Sequence, residues 1–254
     1  MLSIYQVILS WLIPNFVHRY LTLVFGLCSL LIALNIFKLY GIDFCCNGNR
    51  SLEAACEKIE IPVSELIEEL TSITNGATDT NNYQDWSISF LSDYIYNNHH
   101  TYIEKKVPEI KQYLAKIASV HGKHHPELFE IKELFNAGAD ALITHMKKEE
   151  LILFPYFKKL DQALKTDSKT QSPQFGTVLN PISVMHEEHD NEGVRFREIS
   201  RLSNNYTPPE DACGSYKVAF ALLKEFEADL HKHIHIENNI LFKKAILLEK
   251  EIMN

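Results

Sequence analysis

From Leu128 to Tyr156 apolar side chains recur at alternating steps of three and four, and a histidine and a carboxylate interrupt the stripe. Leu128, Ile131, Phe135, Gly138, Leu142, His145, Glu149, Ile152 and Tyr156 share one helical face, so His145 and Glu149 stand where a core is expected. The pattern returns near the end of the chain, where Phe226, Leu230, His233, Glu237 and Ile240 again set His-x-x-x-Glu inside an apolar stripe. One such pair is ordinarily a salt-bridged helix face. Two matching pairs at core positions point to a shared ligand.

With 254 residues, 46% of them hydrophobic, the chain can bury a sizeable core. A net charge of -8 without a basic stripe excludes a general nucleic-acid binder. The five cysteines, Cys28, Cys45, Cys46, Cys56 and Cys213, are too few and uneven for a disulfide framework and make no C-x-x-C pair for zinc, which favours a reducing compartment. Residues 20–37 carry no charge and lie between Arg19 and Lys38. At about 1.5 Å per residue this run just crosses a bilayer core of about 30 Å, so it is a candidate membrane segment, with a buried helix as the alternative. Lys38, Arg50 and Lys58 outnumber Arg19, which directs the remainder to the cytoplasm. The expected localisation is therefore cytoplasmic, with membrane anchoring as the alternative.

A polar stretch around Asn75-Gly76 and Asn81-Asn82 reads as a linker, with a domain boundary near residue 85. Beyond it every periodic segment is helical. The first long helix is expected from about Ser87 to Ser119, with Tyr96, Ile103, Val107, Ile110, Leu114 and Ile117 on one face together with His100. The second carries the opening stripe, with Pro155 kinking its last turns. A third begins near Pro181 and aligns Ile182, Met185, His189, Phe196 and Ile199; a fourth runs from about Cys213 to Glu251.

In an up-and-down bundle, facing residues on consecutive helices are equally far from the turn that joins them. The midpoint between His100 and His145 falls near 122, in His121-Gly-Lys-His-His-Pro126. Between Glu149 and His189 it is 169, within the polar segment 165–173; between His189 and His233 it is 211, beside Thr207-Pro-Pro-Glu-Asp211. All three fall on chain-breaking segments. The expected architecture is an all-α, up-down-up-down four-helix bundle with a single polar layer, preceded by a small helical domain.

That layer contains His100, His145, Glu149, His189, His233 and Glu237. Carboxylates in a core cost several kcal/mol each unless neutralised, and cations neutralise them. Carboxylates bridge metals while imidazoles bind them singly, so two Glu and four His suit a dinuclear centre. Iron fits best, with manganese next, because structural zinc prefers tetrahedral Cys and His sets. Other histidines are weaker candidates. His121 lies about 30 Å along the helix from His100. His124 and His125 are expected in solvent, His186 as an outer group or an entry-path residue, and His231 and His235 on the surface. Glu188 and Glu192 flank His189 and are candidates to orient it. Cys45-Cys46 is either a pair of free thiols or a redox or iron-handling pair.

These residues resemble the Repair of Iron Centres family of di-iron proteins, also known as YtfE, ScdA or DnrN. The resemblance covers about Ala33 to Phe242. It rests on Phe37-Lys-Leu-Tyr-Gly-Ile-Asp-Phe-Cys-Cys46, His145-Met-Lys-Lys-Glu-Glu-Leu-Ile-Leu-Phe-Pro155 and Pro181-Ile-Ser-Val-Met-His-Glu-Glu-His-Asp190. Thr207-Pro-Pro-Glu-Asp-Ala-Cys213 and His233-Ile-His-Ile-Glu-Asn-Asn-Ile-Leu-Phe242 add to it.

The resemblance implies a Cys-Cys domain over 33–75, a linker over 76–86 and a hemerythrin-like bundle over 87–254. It implies two non-haem iron ions, oxo- and carboxylate-bridged, on the six residues of the polar layer, with Cys45 and Cys46 as redox or iron-handling candidates. The implied role is repair of iron-sulfur clusters after nitrosative or oxidative damage, by holding and donating iron. Damaged iron-sulfur proteins, small ligands such as NO or O2 and a second copy of the chain are the implied partners. A hemerythrin-type carrier or sensor of O2 or NO is the alternative, although a plain carrier needs no thiol pair. Residues 1–32 depart from the family pattern, being apolar where a short polar helix is usual.

Overall fold

Helix formation in the larger part of the chain starts at Ser87, whose hydroxyl accepts a hydrogen bond from the Phe90 amide at 3.2 Å and so caps the first turn. The computed structural model describes residues 83–168 and 172–253, together with 56, 57, 59 and 61–63. Cys45 and Cys46, the segment 1–32 and the candidate membrane run 20–37 lie outside the described residues. Among those described, no helix is long and apolar enough to cross a membrane. The chain divides into two units between Trp86 and Ser87, and the second holds the polar layer.

Three of the four helical rods in this unit contain a wide π-helical turn. In the first rod, α1 (Ile88–Ile95) passes through a π turn at Tyr96–His100 into α2 (Thr101–His121). The second joins α3 (Glu127–Lys148) to α4 (Phe154–Thr166) through a π turn at Glu149–Leu153. The third is the regular helix α5 (Leu179–Leu202). In the fourth, α6 (Gly214–Ile236) leads through a π turn at Glu237–Leu241 into α7 (Phe242–Met253). The breaks over 122–126 and 203–213 contain two of the three expected turn positions, and the third, residue 169, lies outside the described residues. Asp167, in the left-handed region at φ 47°, closes α4.

Packing follows this order: α2 lies against α3 and α6, α3 against α5, and α4 against α1 and α7. Phe135, Phe196 and Phe226 tie the second, third and fourth rods together, with ring centroids 5.4 to 6.5 Å apart.

The π turns correct the expected stripes. Each adds a residue to one turn, so the apolar face beyond it advances by one position. Ile152, expected in the core, is 48% exposed, and Leu153 is 1% exposed in its place. Tyr96 is likewise 45% exposed while Ile95 is fully buried. Pro155 is in the first turn of α4, directly after the Glu149–Leu153 π turn, and lacks the N–H that would bond back into that turn.

Candidate metal centre

The six residues of the polar layer meet in the core of the bundle. Their ring nitrogens and carboxylate oxygens form two overlapping groups, His100, Glu149, His233 and Glu237 on one side and His145, Glu149, His189 and Glu237 on the other. Both groups are buried and both contain Glu149 and Glu237. Glu149 Oε2 lies 3.3 Å from His100 Nε2 and 3.5 Å from His145 Nε2. Glu237 Oε2 lies 3.2 Å from His189 Nε2, and its Oε1 lies 2.9 Å from His233 Nε2. Each carboxylate thus reaches both groups, and each group offers two imidazoles and two carboxylates.

The wide turns set this geometry. Glu149 and Glu237 each open a π turn, and each gives its own carbonyl to the amide five residues on, Phe154 and Phe242 respectively. Those two phenylalanines lie over two of the imidazoles. Phe154 stacks on His100 with centroids 5.5 Å apart, and Phe242 stacks on His189 at 6.1 Å with rings nearly parallel. The residue after each glutamate holds the outer nitrogen of the same ring: Glu150 pairs with His100 Nδ1 at 3.0 Å, and Asn238 with His189 Nδ1 at 2.8 Å. Glu188 does the same for His145 Nδ1 at 2.8 Å while also pairing with Lys148.

These outer partners are oxygen acceptors, so Nδ1 of His100, His145 and His189 is the donor and each Nε2 turns a lone pair inward. Such lone pairs are what a cation requires. Several inward atoms have no hydrogen-bond partner: His100 Nε2, both oxygens of Glu149 and Glu237 Oε2. Buried acceptors left unmatched in this way are costly in a folded chain, and a divalent or trivalent cation satisfies them together. The donor set of imidazole and carboxylate suits iron.

Electrostatics agree with the geometry. Burial, together with the charge of Glu237, pushes the Glu149 carboxyl above the usual carboxylate range. Glu237 is held well below it, because His233 and His189 outweigh the burial that opposes its charge. Burial disfavours a charge on His100 and on His189, but Glu149 and Glu237 respectively raise both. His233, whose burial dominates, falls to about 4. Glu188, bonded to His145, falls to about 2 and is a carboxylate at every ordinary pH.

The weaker candidates are scattered. His121 joins neither group; its Nε2 lies 3.1 Å from Cys213 Sγ at the far end of the bundle. His124 is exposed, while His125 is half-buried against Asp211 and Glu127. His186 packs against Phe242 and His189 outside both groups. His235, expected on the surface, is 9% exposed and bonds Asn239, because α6 is covered on more than one side. Glu188 orients His145 rather than its neighbour His189. Glu192 is buried and pairs with Arg195 in the space left by Gly138, where an added Cβ would come within 2.9 Å of its carboxylate.

Sequence reasoning missed His99, Glu150 and Asn238. His99 is buried, bonds Asp229 at 3.0 Å and stacks on His233 at 5.3 Å. Nothing in its periodicity marks it, since the π turn alone brings two adjacent histidines inward. For the others a signal exists: both His-x-x-x-Glu pairs are followed five residues later by Phe.

A family model described as the hemerythrin HHE cation binding domain matches residues 92–245. A second model, ScdA_N, described as a domain of unknown function, matches residues 28–74. The chain is 34% identical over 218 residues to a Haemophilus influenzae protein named "Probable iron-sulfur cluster repair protein", covering 84% of this chain and 91% of that one. It is 28% identical over 213 residues to the iron-sulfur cluster repair protein ScdA of Staphylococcus haemolyticus, covering 84% of this chain and 92% of that protein. With the iron-sulfur cluster repair protein YtfE of Yersinia pseudotuberculosis it shares 29% over 214 residues, 84% of this chain and 91% of the relative.

Proposed function

This chain belongs to the hemerythrin HHE cation binding domain family and to the iron-sulfur cluster repair proteins within it, and from that premise we propose that it binds two iron ions and repairs damaged iron-sulfur clusters by holding and donating iron. The observation that carries this reading is the pair of overlapping groups that share Glu149 and Glu237. Two ions held side by side need ligands common to both, and these two carboxylates are the common members.

In this reading His100 and His233 would hold one ion, His145 and His189 would hold the other, and Glu149 and Glu237 would be shared by both. When bound, the ions supply redox and small-ligand chemistry at positions the protein leaves open. The protein's own part is to bring four imidazoles and two carboxylates together in the core, three of the rings with inward lone pairs, and to exclude bulk water from the layer. Glu150, Glu188 and Asn238 hold the ring orientations, so iron can leave without collapse of the site. The iron is cargo in the repair step, and the acceptor is a damaged cluster in another protein. Cys45 and Cys46 are the candidate redox or iron-handling pair.

The test is direct. Anaerobically purified full-length protein, loaded with iron, is incubated with a cluster enzyme inactivated by nitric oxide. Recovery of the enzyme's activity, with matching loss of iron from this chain, is expected. Iron binding without recovery would favour a carrier or sensor of NO or O2, and a folded chain that takes up no iron would end the reading.

A further inference from the structure

Cys213 is the N-cap residue of α6, exposed, on the end of the bundle that carries the α2–α3 and α5–α6 turns. From there to His233 is about 30 Å of helix at about 1.5 Å per residue, so this end is remote from the polar layer. His121, the last residue of α2, brings its Nε2 to 3.1 Å from Cys213 Sγ although 92 positions separate them in the chain. The pair opens into a cavity of about 330 Å³ lined by Lys116, Ile117, Val120 and Ser215. Cys213 is exposed, so its sulfur is open to solvent. Among the described residues no third histidine, cysteine or carboxylate joins the two in a group that could hold a metal ion.

We propose that Cys213 and His121 form a thiol-exchange site for small anionic disulfides. Activated thiols of this kind combine a basic neighbour, a helix N-terminus and access from solvent, and all three meet here. The hydrogen bond from His121 and the Tyr216 and Ser215 amides lower the Cys213 pKa, in agreement with the geometry. Lys116 and the positive end of α6 favour an anionic partner.

The exchange is balanced. The Cys213 thiol passes its proton to His121, and the resulting thiolate attacks one sulfur of the small disulfide. The incoming S–S bond breaks, a new S–S bond joins Cys213 to one half, and the other half leaves as a thiolate that takes the proton from His121. The small disulfide is the oxidant, and excess small thiol reverses the reaction.

Full-length protein is treated with glutathione disulfide and, separately, with neutral bis(2-hydroxyethyl) disulfide across a pH series, and adducts on Cys213 are timed by peptide mass spectrometry. At about pH 6.5 Cys213 should react about fivefold faster than free N-acetylcysteine. His121→Gln should remove about that advantage at low pH and converge with the unaltered chain above about pH 9.5, where thiols are ionised regardless. Lys116→Gln should slow glutathione disulfide and leave the neutral disulfide unchanged. A Cys213 no faster than the free thiol, or a His121→Gln profile that matches the parent, overturns the proposal; if that variant fails to fold, the comparison with the free thiol decides alone. Equal slowing of both disulfides by Lys116→Gln overturns the preference for anions.

Discussion

The Nε2 atoms of His145 and His189 lie 3.1 Å apart in the buried layer. Glu188 and Asn238 take the Nδ1 protons of these two rings, so when both are neutral two lone pairs face each other across that gap. Lone pairs at this distance repel unless a proton or a cation lies among them. The same atoms reach Glu149 and Glu237, whose charges also need an opposite one. Metal-free protein is therefore a state with an electrostatic defect at its centre, and four consequences can be measured.

On the proposed assignment, Glu149→Leu is expected to lower bound iron from about two per chain to one or none, because a ligand common to both ions is lost. The metal-free variant should be as stable as the parent or more stable, by roughly 1–3 kcal/mol, since an unneutralised buried carboxylate is removed. Iron analysis and thermal unfolding monitored by circular dichroism check both halves. Unchanged iron content would show that Glu149 is not a bridge.

Iron uptake should weaken on acidification. Imidazolium cannot ligate, and His100 and His189 are raised above the ordinary imidazole value in the metal-free chain. Both must shed protons to bind, so affinity falls as pH drops through their raised values and levels off above them. Glu188, at about 2, stays ionised throughout and adds no pH dependence of its own. Calorimetry in buffers of differing ionisation enthalpy reads the released protons. Binding that strengthens toward acid would contradict this assignment.

The outer partners should matter without touching iron. Glu188→Gln keeps the shape but weakens the bond to His145, and a loss of about 10- to 100-fold in iron affinity is expected. Lys158→Gln, on an exposed side chain that pairs with Asp93 and with none of the outer partners, serves as the comparison and should change affinity little.

Deleting Leu151 tests the wide turn itself. This residue is exposed and lies inside the Glu149–Leu153 π turn, so its loss leaves one residue too few for that turn. The Glu149 carbonyl then meets the Phe154 amide four residues on, as in a regular helix, so the rod keeps its register on either side of the deletion. Helicity and the buried faces on both sides should persist, and iron affinity should fall by about 10- to 100-fold as the bond from Glu150 to His100 is disturbed. Leu151→Ala, which keeps the count, should stay within about 0.5 kcal/mol of the parent in stability and bind iron normally.

Much of this was legible before any coordinates. His145, Glu149, His233 and Glu237 announced themselves as polar residues on apolar stripes, and equal spacing about three breaker segments brought in His100 and His189. Both inferences rest on helical periodicity and chain length, which are local quantities. The register beyond each π turn was not legible: Ile152 and Leu153, or Tyr96 and Ile95, are equally apolar neighbours, and only the widened turn decides which faces inward.

The sequence by itself determined four rods, their breaks, and the six residues that share a level, because a helix of known rise carries those relationships along one strand of backbone. Tertiary structure decided the rest. His99 is buried because a π turn swings it onto His233, and His189 has Asn238 as its outer partner because α5 lies beside the fourth rod's wide turn. His121 meets Cys213 because two ends far apart in the chain arrive at one end of the bundle. Each of these depends on contacts between rods, whose rotation about their own axes is set by packing and cannot be read along any one of them.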